Sequence, residues 1–205
     1  SSQVPRTRWV DDIFPYLSST EVYMSPLLST DERTRMNKPF AHTVNQSTGA
    51  TTPETVYFGG FGYNYQYLGN ARTPGGIRPF HANLSHIRAS SQTIAVADTN
   101  GSKNGGTTWA SEGVYTIDPP LSSSRGSGKP SGFYGDATEC GSGTPGTPGQ
   151  WGCRSTPAEW ATGRVTIAWC DGHASTMPRR RLDDKDGNGQ PDNGFWNGLA
   201  DATQR

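Results

Sequence analysis

GRVTIAWCDGHAS, residues 163–175, is the stretch whose reading decides the fold. Arg164 to Trp169 is an apolar, β-favouring run and predicts a strand. Asp171-Gly172 is a pair suited to a tight hairpin turn, because glycine accepts the positive φ such turns need. His173 to Met177 is then the returning strand, and a chain that doubles back here builds an antiparallel sheet. Further upstream, Ser91 to Asp98 (SQTIAVAD) reads as a second clear strand, ended by Asp-Thr-Asn-Gly.

The rest of the chain is sparser. Apolar residues at 9, 10, 13, 14, 16 and 17 have helical spacing for one or two turns, closed near Pro15. Residues 28–55 are polar and read as a long loop. Residues 56–68 (VYFGGFGYNYQYL) alternate aromatics with glycine and polar residues, as a strand or irregular segment. Residues 81–88 fit a short helix or an extended docking segment, and 99–160 hold only short apolar pieces. These readings predict an α+β fold, a small antiparallel β-sheet with long Gly/Pro-rich loops, in a single domain over 1–205.

Composition agrees with few strands and long loops. The 205 residues include 26 Gly and 15 Pro, with 31% hydrophobic and 18% charged residues; mean hydropathy is −0.71. Low hydropathy signals disorder when net charge is high and aromatics are few. Here net charge is zero and 6 Trp, 8 Tyr and 7 Phe are present, enough for a small aromatic core. The charge balance and the lack of a basic stripe argue against nucleic acid as a partner. Arg179-Arg180-Arg181, the one basic run, reads as a solvated patch or a counter-charge to the aspartates beside it.

Those aspartates lie in DKDGNGQPD, residues 184–192. Oxygen side chains at Asp184, Asp186, Asn188 and Asp192, with Gly189 at the sharp turn, follow the D-x-D-x-[DN]-G pattern that points alternate residues at one hard cation. Gln190 would add its backbone carbonyl, and calcium is the expected cofactor. The pattern departs from the EF-hand rule at its end, where Phe195 replaces the bidentate Glu, and no strong helical patterns flank it. The alternative is an Asp/Asn/Gly-rich surface turn that binds no ion.

Cys140 and Cys153 bracket a Gly/Pro/Thr loop with almost nothing apolar to close it. A disulfide between them would contribute about 3 kcal/mol for a loop of about 15 residues; the alternative is two unpaired thiols. Cys170 reads as a buried core thiol. A disulfide implies an oxidising, exported location. Yet no apolar stretch reaches ten residues, so neither a transmembrane span nor a signal peptide is expected within the sequence.

Catalytic patterns are weak. His173 beside Asp171 is the tempting acid–base pair, but the turn puts it at a hairpin end. No Gly-x-Ser-x-Gly elbow occurs, and Gly59-Gly-Phe-Gly62 is not followed by the Lys-Ser/Thr of a phosphate loop. No enzyme is predicted. Tyr57, Phe58, Phe61, Tyr63, Tyr65 and Tyr67 suit a sugar-binding platform or, more simply, a core.

Four segments in order resemble the globular part of prepilin-type proteins related to type II secretion pseudopilins. The resemblance is to the bacterial group with a C-terminal His-x9-Asp-Gly signature. WVDDIFPYLSSTEVYMSP (9–26) is similar to that group's Trp-x-x-x-Leu-x-Pro-Tyr segment and the turn after it. FGYNYQYLG (61–69) resembles its Tyr-Gly-Tyr-Asn segment, LSHIRASSQTIAVADT (84–99) its Ala-Asp strand, and GRVTIAWCDGHAS its closing strand pair. Two departures stand out: Ala161 occupies the signature His position, and Met24-Ser25 replaces the Cys before Pro26. The group's long hydrophobic N-terminal helix is missing from this sequence.

The resemblance implies a non-enzymatic structural subunit of an extracytoplasmic filament or assembly, periplasmic or extracellular, stabilised by a C-terminal calcium loop at 183–195. Its partners would be copies of itself or other pilin-like or membrane-complex subunits. The alternatives are a helix-free periplasmic subunit of another membrane complex, and a carbohydrate-binding or adhesive module using the Tyr-rich segment 57–67.

Overall fold

A computed structural model describes residues 8–17, 19, 21–40, 57–70, 80–100, 102–104, 108–110, 115–121 and 155–204. Its centre is a four-stranded antiparallel sheet: β1 (Phe61–Tyr63), β2 (Ile94–Asp98), β3 (Val165–Trp169) and β4 (Ala174–Met177), in the order β4-β3-β2-β1. The expected hairpin forms: Ala174 pairs with Ala168 and Met177 with Val165. Gly172, at φ 92°, makes the turn, its N–H donating to Trp169 O at 3.0 Å. β3 also pairs with β2, through a bulge between Ile94 and Val96.

Alternation along β3 sets the layering. Val165, Ile167 and Trp169 are buried while Ala168 faces solvent. The buried face meets Ile94, Ile117, Leu182 and Trp196 in the main core. Fully burying each such side chain contributes roughly 1.5–3 kcal/mol. A smaller aromatic core forms around Val10, Tyr23, Phe40 and Phe58, with Phe40 5.2 Å from Phe58 and 4.9 Å from Tyr23 between ring centroids.

A strap at residues 115–118 joins the sheet beside β1. Tyr63 N–H donates to Tyr115 O at 3.1 Å, and Ile117 N–H to Tyr63 O at 3.0 Å. That approach requires Gly62: a Cβ there would lie 2.5 Å from Thr116 O.

Helical pieces are short. α1 (Trp9–Ile13) runs into a 3-10 turn, Phe14–Tyr16, so helicity over 9–16 occurs as its spacing predicts. Asp11 Oδ2 accepts the Arg8 N–H at 2.9 Å at its start. α2 (Thr30–Met36) corrects the expectation of an unbroken loop over 28–55. A capping box makes it: Ser29 Oγ accepts the Glu32 N–H at 3.3 Å and Glu32 Oε2 accepts the Ser29 N–H at 2.9 Å. Residues 41–55 lie outside the described residues.

Two other segments differ in detail. The strand expected over 91–98 begins only at Ile94, because Ser90–Gln92 is a 3-10 turn. The aromatic segment splits into Tyr57–Phe58, β1 and the single turn α3 (Tyr65–Leu68). The segment at 81–88 is largely a 3-10 turn, Leu84–His86. α4 (Arg179–Leu182) then leads into the Asp-rich loop. Among the described residues, no helix is long and apolar enough to cross a membrane.

Candidate metal centre

Both ends of the Asp-rich loop are fastened to the main core. Leu182 of α4 is buried there before the loop begins, and Phe195 and Trp196 are buried after it. Phe195 makes an edge contact with Trp169 at 5.5 Å, and its carbonyl accepts the Ile94 N–H at 2.9 Å. The residue that replaces the expected bidentate ligand is thus an apolar anchor. Asp192 N–H donates to Asp183 O at 2.8 Å, drawing the two ends of the loop together.

Anchored so, the chain brings Asp184, Asp186 and Asp192 together, with one carboxylate oxygen of each within 4.8 Å of the others. Asp184 and Asp192 are 8% and 5% exposed; Asp186 is open to solvent. Peptide N–H groups wrap the two buried carboxylates. Asp184 Oδ1 accepts from Gly187 (2.8 Å) and Asn188 (3.0 Å), and its Oδ2 from Gly189 (3.0 Å). Asp192 Oδ2 accepts from Lys185 (2.7 Å) and Asp186 (3.3 Å), and its Oδ1 from Gly194. Gly187 and Gly189, at φ 75° and 83°, let the chain curl that tightly.

Asn188 belongs to the same turn. Its Nδ2 donates to Asp186 Oδ2 at 2.9 Å, and its Oδ1 accepts the Gln190 N–H at 2.8 Å. Gln190 itself is exposed, its backbone set by that turn.

The nearby cations point elsewhere. Arg181 Nη1 donates to the backbone carbonyls of Asp184 (2.6 Å) and Lys185 (2.7 Å), and the Lys185 ammonium sits 5.6 Å over the Phe195 ring. Among the described residues, none of the three carboxylates forms an ion pair with lysine or arginine. Two carboxylates under 5 Å apart repel by roughly 3 kcal/mol at an effective dielectric of about 20. Peptide dipoles offset part of this but carry no net charge. An all-oxygen donor set of three carboxylates, two of them nearly buried, therefore fits a hard divalent cation; the cluster alone does not select calcium.

The remaining candidates fall apart or into the core. Cys140 and Cys153 lie outside the described residues. Cys170 is a free, half-buried thiol, and burial together with Asp171 pushes it up to about 11, so it stays protonated at neutral pH. His173 is exposed at the hairpin end, stacked on Trp169 at 5.6 Å, with Nδ1 2.6 Å from Asp171 Oδ1. That hydrogen bond holds the Asp171 carboxyl below its usual range. No hydroxyl or thiol hydrogen-bonds to His173 among the described residues, so the pair lacks a nucleophile to activate. In the Tyr-rich segment, Tyr63 packs on Trp9 at 6.3 Å and the Tyr67 hydroxyl accepts from Asn193 Nδ2 at 2.9 Å. Burial pushes the Tyr63 phenol up to about 12. These rings serve packing.

Two buried polar residues carry more structure than the sequence suggested. Asn64 Nδ2 donates to Ile94 O (3.0 Å) and Trp196 O (3.1 Å), clasping the start of β2 to the tail beyond the loop. Asp98 Oδ2 accepts the Thr166 N–H at 2.9 Å across β2 and β3, while its Oδ1 is buried without a hydrogen bond. No protein-family model matches the sequence, and comparisons with curated proteins and with solved structures return no match.

Proposed function

We propose that this chain is a non-enzymatic structural subunit of an extracytoplasmic, pilin- or pseudopilin-like assembly, and that calcium fastens its C-terminal loop. One observation carries the calcium part. Asp184, Asp186 and Asp192 converge in a loop whose ends are both buried, with no lysine or arginine of the described residues paired to them. The four-segment resemblance supports the subunit part.

Asp184, Asp186 and Asp192 would hold the ion, with Asn188 Oδ1 and the Gln190 carbonyl completing the set that the spacing suggests. Bound there, the divalent cation offsets two of the three carboxylate charges. The chain itself does the positioning: Gly187 and Gly189 curl the backbone, and Phe195 pins the far end. Calcium at about a hundred times its dissociation constant stabilises the folded state by about 2.7 kcal/mol. For a domain of this size that raises the melting temperature by roughly 5–10 °C.

The test is a pair of thermal melts, in calcium and in chelator, on the chain and on Asp186→Ala. Asp186 is exposed, so its removal leaves the core untouched. The variant is expected to lose stability in calcium and to be no less stable than the parent in chelator, where one fewer carboxylate lowers the repulsion. Equal losses in both solutions would sink the metal reading. The subunit reading is tested by electron microscopy of the protein isolated natively: a filament or a defined multi-subunit assembly supports it, and a lone monomer removes it.

A further inference from the structure

We propose that Asn188 is a site of spontaneous deamidation, where the Asp-rich loop converts its own carboxamide to a carboxylate. The reaction is the chain's own and stands whether or not an ion is bound; only its calcium dependence rests on the reading above.

An asparagine followed by glycine is the least protected of its kind, because no side chain hinders attack of the glycine peptide nitrogen on the Asn Cγ. That pair stands at 100–101, 104–105, 188–189, 193–194 and 197–198. The last three lie wholly within the described residues, and the fold treats them differently. Asn193 and Gly194 are buried. The Asn193 carboxamide donates to the Tyr67 hydroxyl and accepts the Leu121 N–H, and a Cβ on Gly194 would lie 2.6 Å from Lys185 Cδ. Gly198 is buried against His86 and Ile87, while Asn197 Nδ2 donates to Asp201 O at 2.7 Å and Gln204 O at 3.2 Å. Asn188 and Gly189 are both exposed, and nothing lies within 4 Å of a Cβ placed on Gly189.

What holds Asn188 is the loop alone. Its Nδ2 donates to Asp186 Oδ2 at 2.9 Å, its Oδ1 accepts the Gln190 N–H at 2.8 Å, and the Gly189 N–H donates to Asp184 Oδ2 at 3.0 Å. These partners all fall within residues 184–190. The same loop gathers three carboxylates within 4.8 Å of one another, so opening it relieves repulsion, whereas opening the core around Asn193 exposes apolar area. An open loop frees the Gly189 nitrogen and the Asn188 Cγ to meet.

The reaction needs only water. Gly189 N bonds to Asn188 Cγ and gives up its proton; the Cγ–Nδ2 bond breaks, and Nδ2 leaves with that proton as ammonia, closing a succinimide. Water then opens the ring at one of its two carbonyls. Addition at Cγ leaves an aspartate, and addition at the backbone carbonyl leaves an isoaspartate whose main chain runs through Cγ. Either product exchanges the donor that Asp186 Oδ2 now has for an added negative charge, so the modified loop is less ordered without a cation.

The experiment ages the full chain in mildly alkaline buffer with chelator, both folded and in denaturant, and follows the three pairs by peptide mapping with mass spectrometry. In denaturant they are expected to convert at similar rates. In the folded chain Asn188 is expected to convert at least about tenfold faster than Asn193 and Asn197, because the free energy of local opening differs across a fold. Asn188→Gln, which must close a larger ring, is expected to stop conversion at this position and leave the other two as they were. Equal rates at the three positions in the folded chain overturn the inference. So does a preference for Asn188 that persists undiminished in denaturant. Asn188→Asp, one of the two products, is expected to melt below the parent in chelator; a melt at or above the parent's would overturn the loosening. Calcium, by holding the loop closed, is expected to slow conversion at Asn188. A rate that calcium leaves unchanged would reject the calcium reading and keep the modification site.

Discussion

The sheet around β3 and the loop after α4 reach order by opposite means. β3 buries Val165, Ile167 and Trp169 and is paired along both edges, so its stability is a matter of apolar area and ladder hydrogen bonds. A few residues later the chain packs three carboxylates within 4.8 Å and surrounds them with peptide N–H groups. The first region draws its order mainly from apolar burial and ladder pairing. The second is ordered against its own charge, and under the calcium reading proposed above its stability depends on which cations are present. The difference teaches where a solution condition can act on this fold, and it is open to measurement.

The largest effect is expected at Ile167, fully buried at the centre of the main core. Ile167→Ala should cost about 3 kcal/mol, through lost transfer energy and the cavity left behind. If the two regions are as different as described, that cost is the same in calcium and in chelator when read by denaturant titration. A cost that changes with calcium would mean that the cavity in the sheet alters the loop's affinity for the ion.

Asn64 is where the comparison can be sharpened, because its side chain bonds a carbonyl from each region. Asn64→Ala strips a buried partner from Ile94 O and from Trp196 O and should cost about 2 kcal/mol. Since Trp196 lies just past the loop, the variant should also gain less than the parent when calcium is added. An unchanged calcium-induced shift in melting temperature would show that Asn64 does not link the two.

A more local reading comes from hydrogen exchange. Calcium should slow the amides of Gly187, Asn188 and Gly189, which donate to Asp184, while those β2 amides that exchange through local openings leaving the loop closed stay as they were. Uniform slowing across both would replace a local staple with a global effect.

These regions were also unequally legible. The hairpin could be read because its signals are local: an apolar run, then Asp171-Gly172, then a return. The loop could be read for the same reason, as oxygen side chains at alternate positions. What spacing could not give is the role of Phe195, which depends on Trp169 being across from it. α2 was missed because it is short and polar and buries only Met36, so no apolar periodicity marks it; the capping pair Ser29 and Glu32 was its one signal. The start of β2 was misjudged because Ser90–Gln92 turn where β-favouring neighbours suggested extension. Asn64 and Asp98 gave no signal as single letters, since their importance is in long-range bonds.

Asp98 offers the smallest and most specific break in the comparison, because it places a carboxylate inside the region ordered mainly by apolar burial. Burial raises its carboxyl above the ordinary 3.8, and the Thr166 N–H only partly offsets this. A carboxyl whose folded value is raised holds its proton better folded than unfolded. Its contribution is therefore fully present below about pH 3.8 and is lost as pH rises through the folded value. Asp98→Asn keeps an oxygen for the Thr166 N–H and cannot ionise. The stability difference between variant and parent should therefore move in favour of the variant as pH rises from below 3.8, then level off once Asp98 is ionised in the folded state. The measurement is denaturant unfolding of both proteins across that range, in chelator so that the loop carboxylates contribute equally to each. A difference that is flat with pH, or that moves toward the parent, would mean Asp98 is not held in a desolvated site. The sheet would then be as free of charge effects as its apolar face suggests.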